Sequence, residues 1–219
     1  MSRGRPTVFS TLRPLFFLLL VRPALLLLFG TGVRHRERLP LNGPAVLVAN
    51  HNSHLDTLLL LSLFPLGTLA RVRPAAAQDY FGTKPAVAWF TRHIIGGLLI
   101  ARRGEGGRDP LAPVNEALGR GDIVLLFPEG TRGEPEVRSG LRAGLAHLAA
   151  RHPEVPVVPV FLRGLGHALP RGRWVPVPLN LYAAVGQPVP LQADRQAFTA
   201  AVGAAFDELA GELPPDTWD

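Results

Sequence analysis

Ala45-Val46-Leu47-Val48-Ala49-Asn50-His51-Asn52-Ser53-His54-Leu55-Asp56 is the stretch on which the fold reading turns. Five apolar residues in an unbroken row are too few for a helix and do not alternate, as expected of a strand covered on both faces. The apolar run from Asp56 to Leu61 then reads as the start of a buried helix, with Ser53 or Asp56 able to cap it. In an α/β sheet, ligands meet the protein where a strand ends and a helix begins. His51 and Asp56 fall at such a junction. On a regular helix, five residues would turn them roughly 140° apart, so they converge only if the chain bends between them. An imidazole held by a carboxylate keeps its other nitrogen free to accept a proton. Two plainer readings compete. The pair is equally explained as a helix-capping network. A metal site from His51, His54 and Asp56 is the third reading, but their spacing departs from His-Glu-x-x-His and the chain has no cysteine.

Further strand-like runs recur at Leu98–Ala101, Ile123–Phe127, Val155–Leu162 and Asn180–Val185. Helical stretches separate them at Asp56–Phe64, Lys84–His93, Asp109–Leu118 and Gly140–His152, with Gly119 and Gly121 as a helix stop. Phe198, Val202, Phe206, Leu209 and Leu213 follow helical spacing near the end. Strands alternating with helices predict an α/β fold with a mainly parallel sheet flanked by helices. The division this implies is an N-terminal segment over residues 1–33 and one folded body over residues 34–219.

Three other segments carry chemistry. Phe127-Pro128-Glu129-Gly130-Thr131-Arg132 follows a buried run, so Glu129 and Arg132 project from a strand's C-terminal end as His51 does. Backbone amides at Gly130 and Thr131 beside a guanidinium suit an anion, though a surface turn with a local Glu–Arg pair reads equally well. Gly96-Gly97-Leu98-Leu99-Ile100-Ala101-Arg102 ends another run with arginine, whose paired planar donors match phosphate. Val155-Pro156-Val157-Val158-Pro159-Val160 is a strand with two prolines, which places it at an edge, a strand start or a bulge that shapes an apolar channel.

Charge is uneven. The first 38 residues hold seven arginines against one glutamate and account for the whole net charge of +6. No basic stripe interleaved with aromatics continues beyond them, which argues against nucleic acid and for an anionic membrane surface as partner. Between those arginines lie two apolar runs, Leu15–Val21 and Ala24–Phe29, split by Arg22-Pro23. Neither reaches the ~20 residues of a membrane span, and no Ala-x-Ala-like cleavage site follows Phe29. The segment is expected to form a kinked or re-entrant helical pair in one leaflet, its arginines at the headgroups. A strained single span and a helix buried in the core are the alternatives. The absence of cysteine excludes disulfides and thiolate chemistry.

These segments together resemble the glycerolipid acyltransferase family, of the lysophosphatidic acid acyltransferase (PlsC-like) type. Its Asn-His-x-Ser-x-x-Asp motif is matched by Asn50 to Asp56, and its Gly-x-x-Phe-Ile-x-Arg motif by Gly96 to Arg102 with Leu99 for phenylalanine. Its Phe-Pro-Glu-Gly-Thr-Arg block is complete, and its Val-Pro-Ile-Val-Pro-Val block has Val157 for isoleucine. Ala101 stands where many members carry an acid. The four blocks follow family order over residues 45–165.

The resemblance implies acyl transfer from a thioester, acyl-CoA or acyl carrier protein, to the free hydroxyl of lysophosphatidic acid. No cofactor or metal is called for. Asp56 would orient His51 as the base. Arg102 and Arg132 would hold the phosphate, Glu129 would order that site, and Gly130 and Thr131 would complete it. Asn50, Ser53, Gly96, Pro128 and Pro159 would support the arrangement. The place implied is the cytoplasmic face of the cell membrane. Another acceptor (glycerol 3-phosphate, another lysophospholipid or a lyso-aminolipid) or a non-catalytic lipid-binding scaffold are the competing expectations.

Overall fold

A computed structural model describes residues 8–82, 84–101, 109–129, 143–170, 172–173, 175–190 and 194–215. Seven strands form one sheet: β1 (Gly30–Arg34), β2 (Ala45–Ala49), β3 (Val72–Ala77), β4 (Leu98–Ile100), β5 (Ile123–Leu126), β6 (Val157–Arg163) and β7 (Asn180–Val185). Their spatial order is β1-β7-β6-β2-β5-β3-β4. Every pairing is parallel except β6 with β7.

The apolar run of β2 is explained by its place. Ala45, Leu47 and Ala49 face one core, and Val46 and Val48 face the other. On the first side lie α1 (Val8–Phe16), α2 (Arg22–Leu28), α3 (His54–Leu63) and α8 (Leu165–Ala168). On the second lie α6 (Ala112–Gly119), α7 (Ala143–Arg151) and α9 (Arg195–Glu212). Short α4 (Gln78–Phe81) and α5 (Pro85–Phe90) follow β3.

Two strands were not legible in the sequence. β1 contains two glycines because a side chain at Gly32 would collide with the Tyr182 ring across the ladder. β3 reads Val-Arg-Pro-Ala-Ala-Ala, with a single β-branched residue, Val72, ahead of an arginine, a proline and three alanines.

β6 is interior, flanked by β7 and β2, so the edge-strand reading of its prolines is corrected. Val160 stands opposite Val185, yet Val157 stands opposite Val189. Two residues therefore face three, which is a bulge, and Pro159 sits in it. Its carbonyl accepts from the Gly186 N–H at 2.8 Å.

The N-terminal segment does not break at Arg22-Pro23. A π-helical turn over Phe17–Val21 joins α1 to α2. Phe17, Val21, Leu25 and Phe29, four apart, are buried in the domain. Leu19, Leu26 and Leu27 point outward, 69%, 75% and 82% exposed. The arginines differ from expectation. Arg13 is only 4% exposed, and its guanidinium donates to the carbonyls of Leu69 and Val72. Arg22 donates to Phe64 O and Arg36 to Leu63 O, closing the C-terminus of α3 where its dipole favours cations. Arg13 and Arg22 pin the segment to the body, and Arg36 closes the same helix end from just beyond it. Among the described residues, no helix is long and apolar enough to cross a membrane.

Candidate active site

Asn50 directly follows β2 and clamps the neighbouring strand. Its amide donates to Leu162 O at 2.8 Å and accepts from Leu162 N at 2.7 Å, extending the β2–β6 ladder by a side chain. The chain then leaves the sheet, and Ser53 takes the extended conformation of an N-cap. Ser53 Oγ accepts from Leu55 N and donates to Leu169 O. The junction is therefore fixed from three sides before any chemistry is considered.

Within that turn His51 Nδ1 donates to Asp56 Oδ2 at 2.9 Å. The same oxygen accepts the backbone N–H groups of Asn52 and Ser53 at 2.7 and 2.8 Å. Asp56 is fully buried, and its Oδ1 has no hydrogen-bond partner among the described residues. The capping reading and the His–Asp reading are thus both realised, by one carboxylate. With Nδ1 carrying the proton, Nε2 of His51 is the basic nitrogen. His51 lines a cleft, and no described residue occupies that nitrogen.

Parallel pairing of β2 with β5 puts Leu126 beside Val48, so the residues after each strand emerge together. Phe127 stacks on the His51 ring, centroids 4.0 Å apart and planes 21° from parallel. Its π-face holds the imidazole plane. Pro128 lines the same cleft, and Glu129 is 3% exposed just beyond. Arg102, Gly130, Thr131 and Arg132 lie outside the described residues. His54 turns toward α4, stacking on Tyr80 with ring centroids 5.9 Å apart. Among the described residues no three of His, Cys, Asp or Glu converge in a way that would hold a metal ion.

The cleft has a volume of about 790 Å³. Its walls are mostly apolar: Ala75 to Ala77 of β3, Phe81, Phe90, Ile95 and Leu126. Sequence reasoning missed Phe127 as a ring partner and β3 as a wall. The first was visible only as a motif letter, and the second was hidden by proline and alanine. Gly96 is the αL residue ending the turn before β4; it packs under Arg13 and is not among the residues lining the cleft. Pro159 and its bulge are not among the residues lining the cleft.

Comparison with known proteins places this geometry. The sequence model of the family described as Acyltransferase matches residues 31–163. The chloroplastic 1-acyl-sn-glycerol-3-phosphate acyltransferase BAT2 of Brassica napus is 30% identical over 146 residues, covering 66% of this chain and 40% of that protein. The human 1-acyl-sn-glycerol-3-phosphate acyltransferase alpha is 30% identical over 134 residues, 59% of this chain and 44% of that one. The chain therefore spans about two fifths of the length of the curated relatives it matches. In fold it is similar to the crystal structure of the 1-acyl-sn-glycerophosphate (LPA) acyltransferase PlsC from Thermotoga maritima. The TM-score is 0.67 at 24% identity, with 90% of this chain and 79% of that chain covered.

Proposed function

The chain belongs to the acyltransferase family, and on that basis we propose that it moves a fatty acyl group from a thioester to the free hydroxyl of lysophosphatidic acid, yielding phosphatidic acid. The observation that carries this reading is the His51 imidazole, oriented by buried Asp56 and turned to an apolar cleft. The names of the curated relatives support the acceptor.

The steps follow from the geometry. The acceptor hydroxyl gives its proton to His51 Nε2 as its oxygen attacks the thioester carbonyl carbon. Asp56 steadies the positive imidazolium through Nδ1–H. The tetrahedral intermediate collapses, the C–S bond breaks, and the departing sulfur takes the proton back from Nε2. An ester and a free thiol result, with no acyl-enzyme and no redox change. Ser53 is not the nucleophile, because its Oγ is spent on the cap and on Leu169 O.

The cleft suits the acyl chain, burial of which contributes about 0.8 kcal/mol per methylene. Arg102 and Arg132 are assigned to the phosphate by their motif positions, with Glu129, Gly130 and Thr131 ordering that anion site. The donor is acyl-CoA or acyl carrier protein. The enzyme works on a phospholipid surface, at the cytoplasmic face of the cell membrane. Support comes from the outward row of Leu19, Leu26 and Leu27 and from the concentration of the chain's net charge of +6 in its first 38 residues.

The test is a panel of acceptors given to purified protein with both kinds of donor: lysophosphatidic acid, glycerol 3-phosphate, other lysophospholipids and lyso-aminolipids. Phosphatidic acid should form fastest. Acylation of another acceptor while lysophosphatidic acid is ignored would reject the assigned substrate, and lipid binding without turnover would favour a scaffold.

A further inference from the structure

Arg13 is a buried cation, and no carboxylate among the described residues pairs with it. Such burial is costly. Loss of water, helped by nearby Arg73, pushes its pKa down to about 9. What it receives in return is backbone. The guanidinium donates to Leu69 O and to Val72 O, the first residue of β3. It also lies directly against Gly96, where a side chain would collide with it. Gly96 has φ +76°, and the next N–H, that of Gly97, donates back to Thr91 O at 2.7 Å.

These contacts bear on the cleft through the two strands they hold. β3 supplies Pro74 and Ala75 to Ala77 to the cleft wall, and the Gly96 turn delivers β4, whose Ile100 lines the same cleft together with Ala101. β4 is an edge strand of three residues, paired only with β3. A strand that short is weakly held by its own ladder. Arg13 grips both the start of β3 and the turn into β4.

We propose that Arg13 is a positioning residue for the substrate cleft: acting through the Leu69 and Val72 carbonyls and the Gly96 turn, it makes the N-terminal helix a brace for the strands that wall the site and not only a lipid contact. It touches no reacting atom. Its activity readout rests on the acyl-transfer reading above, and its structural readout does not.

The experiment uses the full chain as wild type, Arg13→Met and Arg13→Lys. Turnover is read with a short-chain thioester and a short-chain lysophosphatidic acid below its micelle-forming concentration, so that no lipid surface is needed. Hydrogen exchange is followed over residues 94–101. Arg13→Met should raise KM for the thioester about tenfold with a smaller change in kcat, a split that marks lost placement of substrate. Exchange at residues 96–101 should quicken, and Arg13→Lys should recover part of both. Wild-type KM in this soluble assay with losses confined to vesicles would overturn the proposal, as would unchanged exchange at residues 96–101. If Arg13→Met does not fold, Gly96→Ala, which presses a methyl group on the guanidinium, takes its place. The same rise in KM and faster exchange are then expected, and wild-type values of either would overturn the proposal. A wild type that makes no ester under any condition would reject the acyl-transfer reading, while exchange still decides this one.

Discussion

Asp56 Oδ2 sits 2.9 Å from His51 Nδ1 and accepts two backbone N–H groups at the same time. One buried oxygen both starts α3 and fixes the tautomer of the imidazole. Folding and chemistry are therefore coupled at this atom, and variants of the two residues should separate them.

His51→Ala removes the base but none of the capping bonds. Steady-state kinetics should show kcat falling by ~10²–10⁴-fold, with an unchanged melting temperature. A large loss of stability would mean that the ring is a structural element first.

Asp56→Asn should do both kinds of damage. The amide oxygen can take the place of Oδ2, but the amide N–H groups then occupy the place of Oδ1, buried and without an acceptor among the described residues, which costs about 1–3 kcal/mol of stability. Urea unfolding measures that. The imidazolium also loses the negative charge that steadies it, so kcat should fall by ~10²-fold or more beyond any unfolded fraction.

Asn50→Ala leaves the Leu162 N–H and C=O without their side-chain partners at the end of β2. Denaturant midpoints should report a loss of about 1–3 kcal/mol. KM for the acceptor should stay within a few-fold of wild type, since Asn50 points along the sheet and not into the cleft. A KM effect larger than the stability effect would contradict this placement.

The two faces of the N-terminal helix should respond oppositely. Leu26→Ser with Leu27→Ser removes exposed apolar surface, so sedimentation with anionic vesicles should drop while thermal stability holds. Phe17→Ala empties a fully buried site and should cost about 3–5 kcal/mol. Vesicle binding that survives the double serine variant would place the lipid contact elsewhere on the molecule.

How much of the fold and site was legible depends on particular residues. β2 and β7 were readable to their end residues because their apolar runs are bounded by asparagine, glycine and proline. β1 and β3 were not, since cross-strand crowding by Tyr182 demands glycine in one and the other carries proline and small alanines. The His51–Asp56 contact was anticipated from a bend that the local sequence requires. Capping and proton transfer looked like alternatives until Oδ2 proved to serve both. Phe127 over His51 was hidden, because it depends on which strand lies beside β2. Arg13 and Arg22 misled for a related reason. A cation beside an apolar run suggests headgroups, whereas Arg13 reaches carbonyls that are 56 and 59 residues away in the chain.

The role of His51 is decided by following thiol release and ester formation in purified wild type and folded His51→Ala, each given a fatty acyl thioester and lysophosphatidic acid. The wild type should release one thiol per phosphatidic acid formed, and His51→Ala should be slower by ~10²-fold or more. Equal rates from the two proteins would contradict the assignment of His51 as the base.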